Sequence, residues 1–98
     1  ELIPCVQTLA HFSAPMRWGK FREGKHDIND ILLAGEEKTY EFIEKIFATM
    51  RACFRSKNIH IGMDEAHMLG LGQYLEKHRY KTRFEILCEH LDRVAALA

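Results

Sequence analysis

The period of hydrophobic residues switches abruptly near position 57, and that switch restricts the fold more than any other feature. From Glu36 to Arg55, Tyr40, Ile43, Phe47, Met50 and Phe54 recur at three- and four-residue spacing, the mark of an amphipathic helix that buries one face. Phe42, Ile46 and Cys53 widen the stripe, while Lys38, Glu41, Glu44, Lys45 and Arg51 hold the opposite side. Acids at its start (Glu36, Glu37) and bases at its end (Arg51, Arg55, Lys57) suit the helix dipole. After Asn58 the pattern becomes strict alternation: Ile59, Ile61 and Met63 fall on one face and His60, Gly62 and Asp64 on the other, which predicts a strand.

Upstream, Leu2–Leu9 is a short apolar run without alternation, as expected of a strand covered on both faces, with Pro4 tolerated near its start. His11–Gly19 carries Pro15, Trp18 and Phe12 with no regular period and reads as a loop. Strand, helix and strand in that order form a βαβ unit with parallel pairing and a right-handed crossover. Glu65–Arg79 reads as an irregular connection with one short helix around Gln73–His78. Thr82 followed by Glu85 fits a capping box for a last helix, whose apolar face is expected to be Phe84, Leu87, Cys88, Leu91, Val94 and Ala95. Two strands alone make a marginal sheet with open edges. Further strands or a second copy of the chain are therefore expected to complete it, and the first residue, Glu rather than Met, points to a piece of a longer protein.

Fourteen Lys and Arg residues balance fourteen Asp and Glu residues in a chain of 98, so no net field draws it to nucleic acid or an anionic membrane. No apolar run approaches the ~20 residues of a membrane span, and the N-terminal residues lack the pattern of a signal peptide. A cytoplasmic protein with neither kind of partner is the expectation. Cys5, Cys53 and Cys88 are odd in number and widely spaced, which predicts buried free thiols rather than disulfides or a zinc ribbon. His26, His78 and His90 read as surface or helix-face residues.

In parallel α/β folds ligands collect beyond the carboxyl ends of the strands. His11 and the Asp64–Glu65 pair both fall there. Neighbouring residues of an extended chain point to opposite faces, so the two acids can converge only where the chain turns as the strand ends. Paired carboxylates with separate roles suit glycosidic bond cleavage, where one protonates the leaving oxygen and the other stabilises positive charge at the anomeric carbon. Gly62 leaves room for a ligand or for neighbouring backbone. Trp18 offers a stacking face for a sugar or a packing plug, and Arg17 and Arg22 read as solvated loop residues.

The run His60-Ile61-Gly62-Met63-Asp64-Glu65 resembles the His-x-Gly-Gly-Asp-Glu signature of glycoside hydrolase family 20, the β-N-acetylhexosaminidases. Ile3–His11 is similar to that family's third barrel strand, which ends in His, and Glu36–Arg55 with Lys57-Asn58-Ile59 is similar to its third helix and the approach to its fourth strand. The resemblance implies a βαβα fragment, about strands 3–4 and helices 3–4, of a (β/α)8 TIM barrel, with residues 1–98 forming one partial catalytic domain. A full barrel takes about 250 residues. It is closest in kind to compact bacterial N-acetyl-β-D-glucosaminidases that carry Gly-Met-Asp-Glu-Ala-His.

The resemblance also implies roles. Glu65 would be the general acid and then base of a substrate-assisted retaining hydrolysis, and Asp64 would orient the substrate's 2-acetamido group. His11, His60, His67 and Trp18 would bind or support the sugar, an N-acetylhexosaminide. Met63 departs from the signature's second Gly and is expected to face the helices. His60, His67, Asp64 and Glu65 could ligate a metal, but they match no established ligand spacing, so no metal or cofactor is expected. A carbohydrate-binding module or a self-associating, inactive fragment is the alternative to an enzyme, and an intact acid pair argues against pure binding.

Overall fold

The computed structural model describes residues 2–98. Four helices are present among them: α1 (Gly19–Arg22), α2 (Glu37–Cys53), α3 (Gln73–His78) and α4 (Arg83–Leu97), with a 3₁₀ turn at Pro15–Arg17. The two expected strands pair in parallel, with Cys5 opposite His60. His60 N–H donates to the Pro4 carbonyl (2.9 Å), Val6 N–H to His60 (2.9 Å) and Thr8 N–H to Gly62 (3.0 Å). Neither segment, however, is a continuous strand; among the described residues extended pairing is limited to isolated bridges. The reason lies at Gly62, whose φ of +26° departs from extended backbone and whose N–H turns to the His60 imidazole (3.2 Å) instead of the partner segment.

α2 forms where the three- and four-residue spacing places it and buries Tyr40, Ile43 and Phe47, along with Thr39. The loop reading of His11–Gly19 is corrected by the 3₁₀ turn, which Pro15 favours at its first position. The cap of α4 is as expected: Thr82 Oγ1 accepts from Glu85 N–H at 3.2 Å.

The buried face of α4 is the expected one only in part: Val94 is buried and Leu87 packs against the core. Ile86, His90 and Val94 point inward, while Phe84, Cys88, Leu91 and Ala95 face solvent. The helix is rotated from the expected orientation because His90, read from the sequence as a surface or helix-face residue, is fully buried (0% exposed). Its Nδ1 accepts from Tyr40 Oη–H of α2 (2.9 Å), and its Nε2–H donates to the Thr8 carbonyl (2.7 Å). Tyr40 Oη also accepts from Gly35 N–H at 2.9 Å. Two hydrogen bonds thus satisfy both ring nitrogens of a neutral imidazole and tie α4 to α2 and to the first extended segment. Arg93 adds to the α2–α4 contact by lying over the Tyr40 ring, 3.8 Å from its centroid, and pairing with Glu37 at 2.8 Å. The three thiols, expected inside, are all exposed.

Apolar side chains gather in two clusters. One unites Leu9, Ile31, Leu33, Leu69, Tyr74 and Ile86; the other unites Phe12, Leu32, Tyr40, Ile43, Phe47 and Val94. Met63 packs against both, as expected of a side chain facing the helices. The turn at Asp27–Ile31 joins distant parts of the chain. Asp27, 3% exposed, accepts from Gly70 N–H (2.7 Å), Gly72 N–H (3.1 Å) and Tyr74 N–H (3.0 Å). A side chain at position 72 could not be accommodated, since a Cβ there would lie 2.2 Å from the Asp27 carbonyl.

Burial pushes the His90 imidazole below its usual value, with Arg93 adding to the effect and the hydrogen bond to Thr8 opposing it. A histidine whose folded-state value is depressed binds its proton mainly in the unfolded chain, so its contribution to stability is present above the unfolded value of about 6.5 and fades as pH falls below it. Stability to urea is therefore expected to drop from pH 7 to pH 5. His90→Leu is expected to cost about 2–4 kcal/mol at pH 7, because the Thr8 carbonyl and Tyr40 hydroxyl lose their partner, and to flatten that pH dependence. Urea titrations of both proteins at the two pH values check both effects.

Candidate active site

The first extended segment delivers His11 at its carboxyl end in a left-handed backbone conformation (φ 67°). Such a φ is uncommon for a residue with a side chain and needs support from its surroundings. The support comes from the 26–32 turn. His11 N–H donates to Asp30 Oδ2 at 3.2 Å, and Phe12 N–H donates to the Asp30 carbonyl at 3.1 Å.

The second extended segment ends in a turn at Asp64–Glu65, where Glu65 is also left-handed (φ 57°). This turn redirects the second carboxylate toward the side of the first. Asp64 Oδ2 lies 3.3 Å and Glu65 Oε1 3.9 Å from the same atom, His11 Nε2. All three side chains are open to solvent, at 37% for His11, 57% for Asp64 and 65% for Glu65. The Asp64 carboxyl is held below the usual carboxylate range, first by its own backbone N–H, against a desolvation effect that acts the other way, and then by the hydrogen bond and charge of His11 and the side-chain amide of Gln7. The ionised form of Asp64 is thereby favoured, and the His11 ring nitrogen lies near both its carboxylate and that of Glu65.

His11, Asp64 and Glu65 place ligand atoms within 4.8 Å of one another, a set that could hold a divalent ion. All three are exposed, however, and an exposed acidic group is an ordinary surface feature. The metal reading gains nothing further from the surroundings of the three.

Gly62 resolves the alternative posed by its sequence position. A Cβ there would lie 2.8 Å from Gln7 Oε1 and 3.1 Å from the Val6 carbonyl, so the room it leaves is filled by the neighbouring segment. Gln7 Oε1 is buried with no hydrogen-bond partner among the described residues, which fits the crowding of that amide against Gly62 while it interacts with Asp64.

The remaining sequence candidates make other contacts. His60 does not point inward beside Asp64; its Nδ1 accepts from Gly62 N–H and lies 3.3 Å from Cys5 Sγ. The break in alternation at Gly62 separates the two. His67 is exposed, its carbonyl accepts from Arg83 Nη1 at 3.3 Å, and it shares with Glu65, Met63 and Arg83 the lining of a cavity of 190 Å³. Trp18 is 66% exposed, which excludes a packing plug within this chain. Arg22 braces the loop by donating to the Met16 carbonyl (2.8 Å). Sequence reasoning missed Asp30, Asp27 and Gln7. Only a turn-forming Asp-x-Asn-Asp string signalled the first two, and Gln7 carried no signal.

Two acids and a histidine brought together where parallel segments end are consistent with a glycosidase centre. Comparison with known families defines that class: the model of glycosyl hydrolase family 20, catalytic domain, matches residues 9–93 and so includes His11, Asp64 and Glu65. The chain belongs to glycosyl hydrolase family 20, a family of hexosaminidase-type glycosidases whose catalytic domain is a TIM barrel. No curated protein matches the chain.

Gly62→Ala is expected to cost about 1–3 kcal/mol, since the added carbon meets Gln7 and Val6 and the positive φ is strained for alanine. It is also expected to raise the titration midpoint of Asp64 by displacing the Gln7 amide. Thermal unfolding and carboxyl-carbon NMR titration measure the two effects.

Proposed function

We propose that Asp64 and Glu65 form the catalytic pair of an exo-acting β-N-acetylhexosaminidase that removes terminal N-acetyl-β-D-glucosamine, or galactosamine, by substrate-assisted retaining hydrolysis. The observation that carries this reading is the convergence of both carboxylates on His11 Nε2, at 3.3 and 3.9 Å, immediately beyond the paired segments of a family 20 chain. In this reading Glu65 protonates the leaving oxygen and later deprotonates water. Asp64, held ionised, accepts the N–H of the 2-acetamido group and turns its carbonyl oxygen toward the anomeric carbon, the exception this family makes to a carboxylate nucleophile. His11 keeps the acids apart in role by bridging them and faces the sugar from the opposite segment. His60 acts through Gly62, His67 lines the approach to Glu65, and Trp18 offers an exposed ring for stacking.

The chain is read as a βαβα part of the (β/α)8 barrel. Support comes from the parallel pairing of Cys5 with His60 and from the exposed stripe Phe84, Cys88, Leu91 and Ala95 on α4. That stripe continues into a groove of 430 Å³ lined by Ile59, Ile61, Leu87 and Leu91. A helix apolar on two faces and an unpaired backbone edge both need cover. The isolated chain is accordingly read as inactive by itself and as self-associating. Among the described residues no helix is long and apolar enough to cross a membrane; a cytoplasmic location with a carbohydrate as the partner completes the reading.

In the protein carrying its complete barrel, Glu65→Gln and Asp64→Asn are each expected to lower hydrolysis of a chromogenic N-acetyl-β-D-glucosaminide by about 10²–10⁴-fold. Wild-type rates in both variants would remove the assignment. For the 98-residue chain, sedimentation is expected to give an oligomer at micromolar concentration; a folded monomer would count against self-association.

A further inference from the structure

The imidazole of His11 reaches two carboxylates from a left-handed backbone, a conformation that histidine adopts more readily than most residues but that still needs support from its surroundings. The neighbouring turn supplies that support. Leu32 N–H donates to the Leu9 carbonyl at 2.7 Å and Phe12 N–H to the Asp30 carbonyl at 3.1 Å, so the chain is held on both sides of His11. Between these two bonds the His11 N–H itself meets Asp30 Oδ2 at 3.2 Å. The turn is rigid in its own right: Asp27 N–H donates to the Ile31 carbonyl (3.0 Å) and Ile31 N–H to Ile28 (2.9 Å), and the Asp27 carboxylate locks it to the 70–74 segment downstream of Glu65.

We infer that Asp30 is a positioning residue of this site: its carboxylate, presented by the 26–32 turn, holds the His11 backbone in the left-handed conformation from which one ring nitrogen faces both Asp64 and Glu65. Asp30 touches neither acid in this scheme. It acts through His11, by a bond from a backbone N–H to a carboxylate, a class stronger than a bond between neutral groups. The same turn contacts both loops that carry the site, through Asp30 on the His11 side and Asp27 on the side beyond Glu65. The consequence for hydrolysis rests on the proposed function; the positioning itself does not.

The test reads the Asp64 carboxyl by carbon-detected NMR titration in the wild-type protein and in His11→Ala, Asp30→Ala and Asp30→Asn. His11→Ala is expected to raise the Asp64 midpoint, because the imidazole that stabilises the ionised form is gone. Asp30→Ala is expected to raise it at least half as far, although His11 is still present. Asp30→Asn, whose amide oxygen can still accept the His11 N–H, is expected to stay at the wild-type midpoint and to keep wild-type protection of the His11 amide from hydrogen exchange. An unmoved Asp64 in a folded Asp30→Ala protein overturns the inference, and so does a rise in Asp30→Asn equal to that in Asp30→Ala. Where Asp30→Ala does not fold, Asp30→Asn decides: loss of His11 amide protection or a raised Asp64 midpoint in that folded variant overturns the inference. These shifts, found together with a complete-barrel protein that hydrolyses no N-acetylhexosaminide, would sink the proposed function and leave the positioning role standing.

Discussion

The buried imidazole of His90 is the joint on which the structure depends. With its two nitrogens committed to Tyr40 and Thr8, it fixes the rotation of α4, the distance between α4 and α2 and the depth of the first extended segment. Thr8 stands three positions before His11, so the path from the centre of the core to the candidate site is short. The arrangement demands a neutral ring with its proton on Nε2, because Nδ1 receives the tyrosine proton and the Thr8 carbonyl can only accept. A low-dielectric environment strengthens these bonds and makes either partner costly to leave unpaired, which is how a single polar side chain organises three segments that apolar contact alone would let slide.

From that joint outward the geometry becomes steadily more polar and more exposed. The core holds the first segment, the parallel bridge aligns the second with it, and each then leaves the pairing through a left-handed residue, His11 in one and Glu65 in the other. Strain of this kind collects where side chains must be aimed rather than packed. Here the aim is shared: two acids and a histidine from segments more than fifty residues apart meet at one nitrogen. A family 20 chain thus carries two carboxylates where its paired segments end, and that of Asp64 is held below the usual carboxylate range.

What could be read from the sequence was what depends on near neighbours. The spacing of Tyr40, Ile43 and Phe47 specified α2, Thr82 and Glu85 specified the start of α4, and Gln73–His78 formed the short helix expected there. The meeting of His11 with Asp64–Glu65 was legible as well, because chain order alone places both at the ends of parallel segments and adjacent acids converge only at a turn. The errors have a common origin in long-range partners. His90 counts as polar in any periodic pattern, so the apolar face expected of α4 took in Phe84, Cys88, Leu91 and Ala95, which are exposed, beside Leu87 and Val94, which do pack inward; the imidazole is buried because Tyr40 and Thr8 await it. Asp27 and Asp30 stand in a stretch with no period at all, and their partners lie forty-three or more residues away for Asp27 and nineteen for Asp30. Alternation around Gly62 foretold a regular strand, but the close approach of Gln7 and Val6 bends the chain there.

The central claim is that Asp64, Glu65 and His11 face a single sugar. A crystal structure of the protein carrying a bound N-acetylhexosamine tests it most directly. The acetamido nitrogen is expected to be hydrogen-bonded to Asp64, the anomeric oxygen to Glu65, and the same ring in contact with His11. A sugar seated elsewhere, or carboxyl groups turned away from one another around it, would contradict the account.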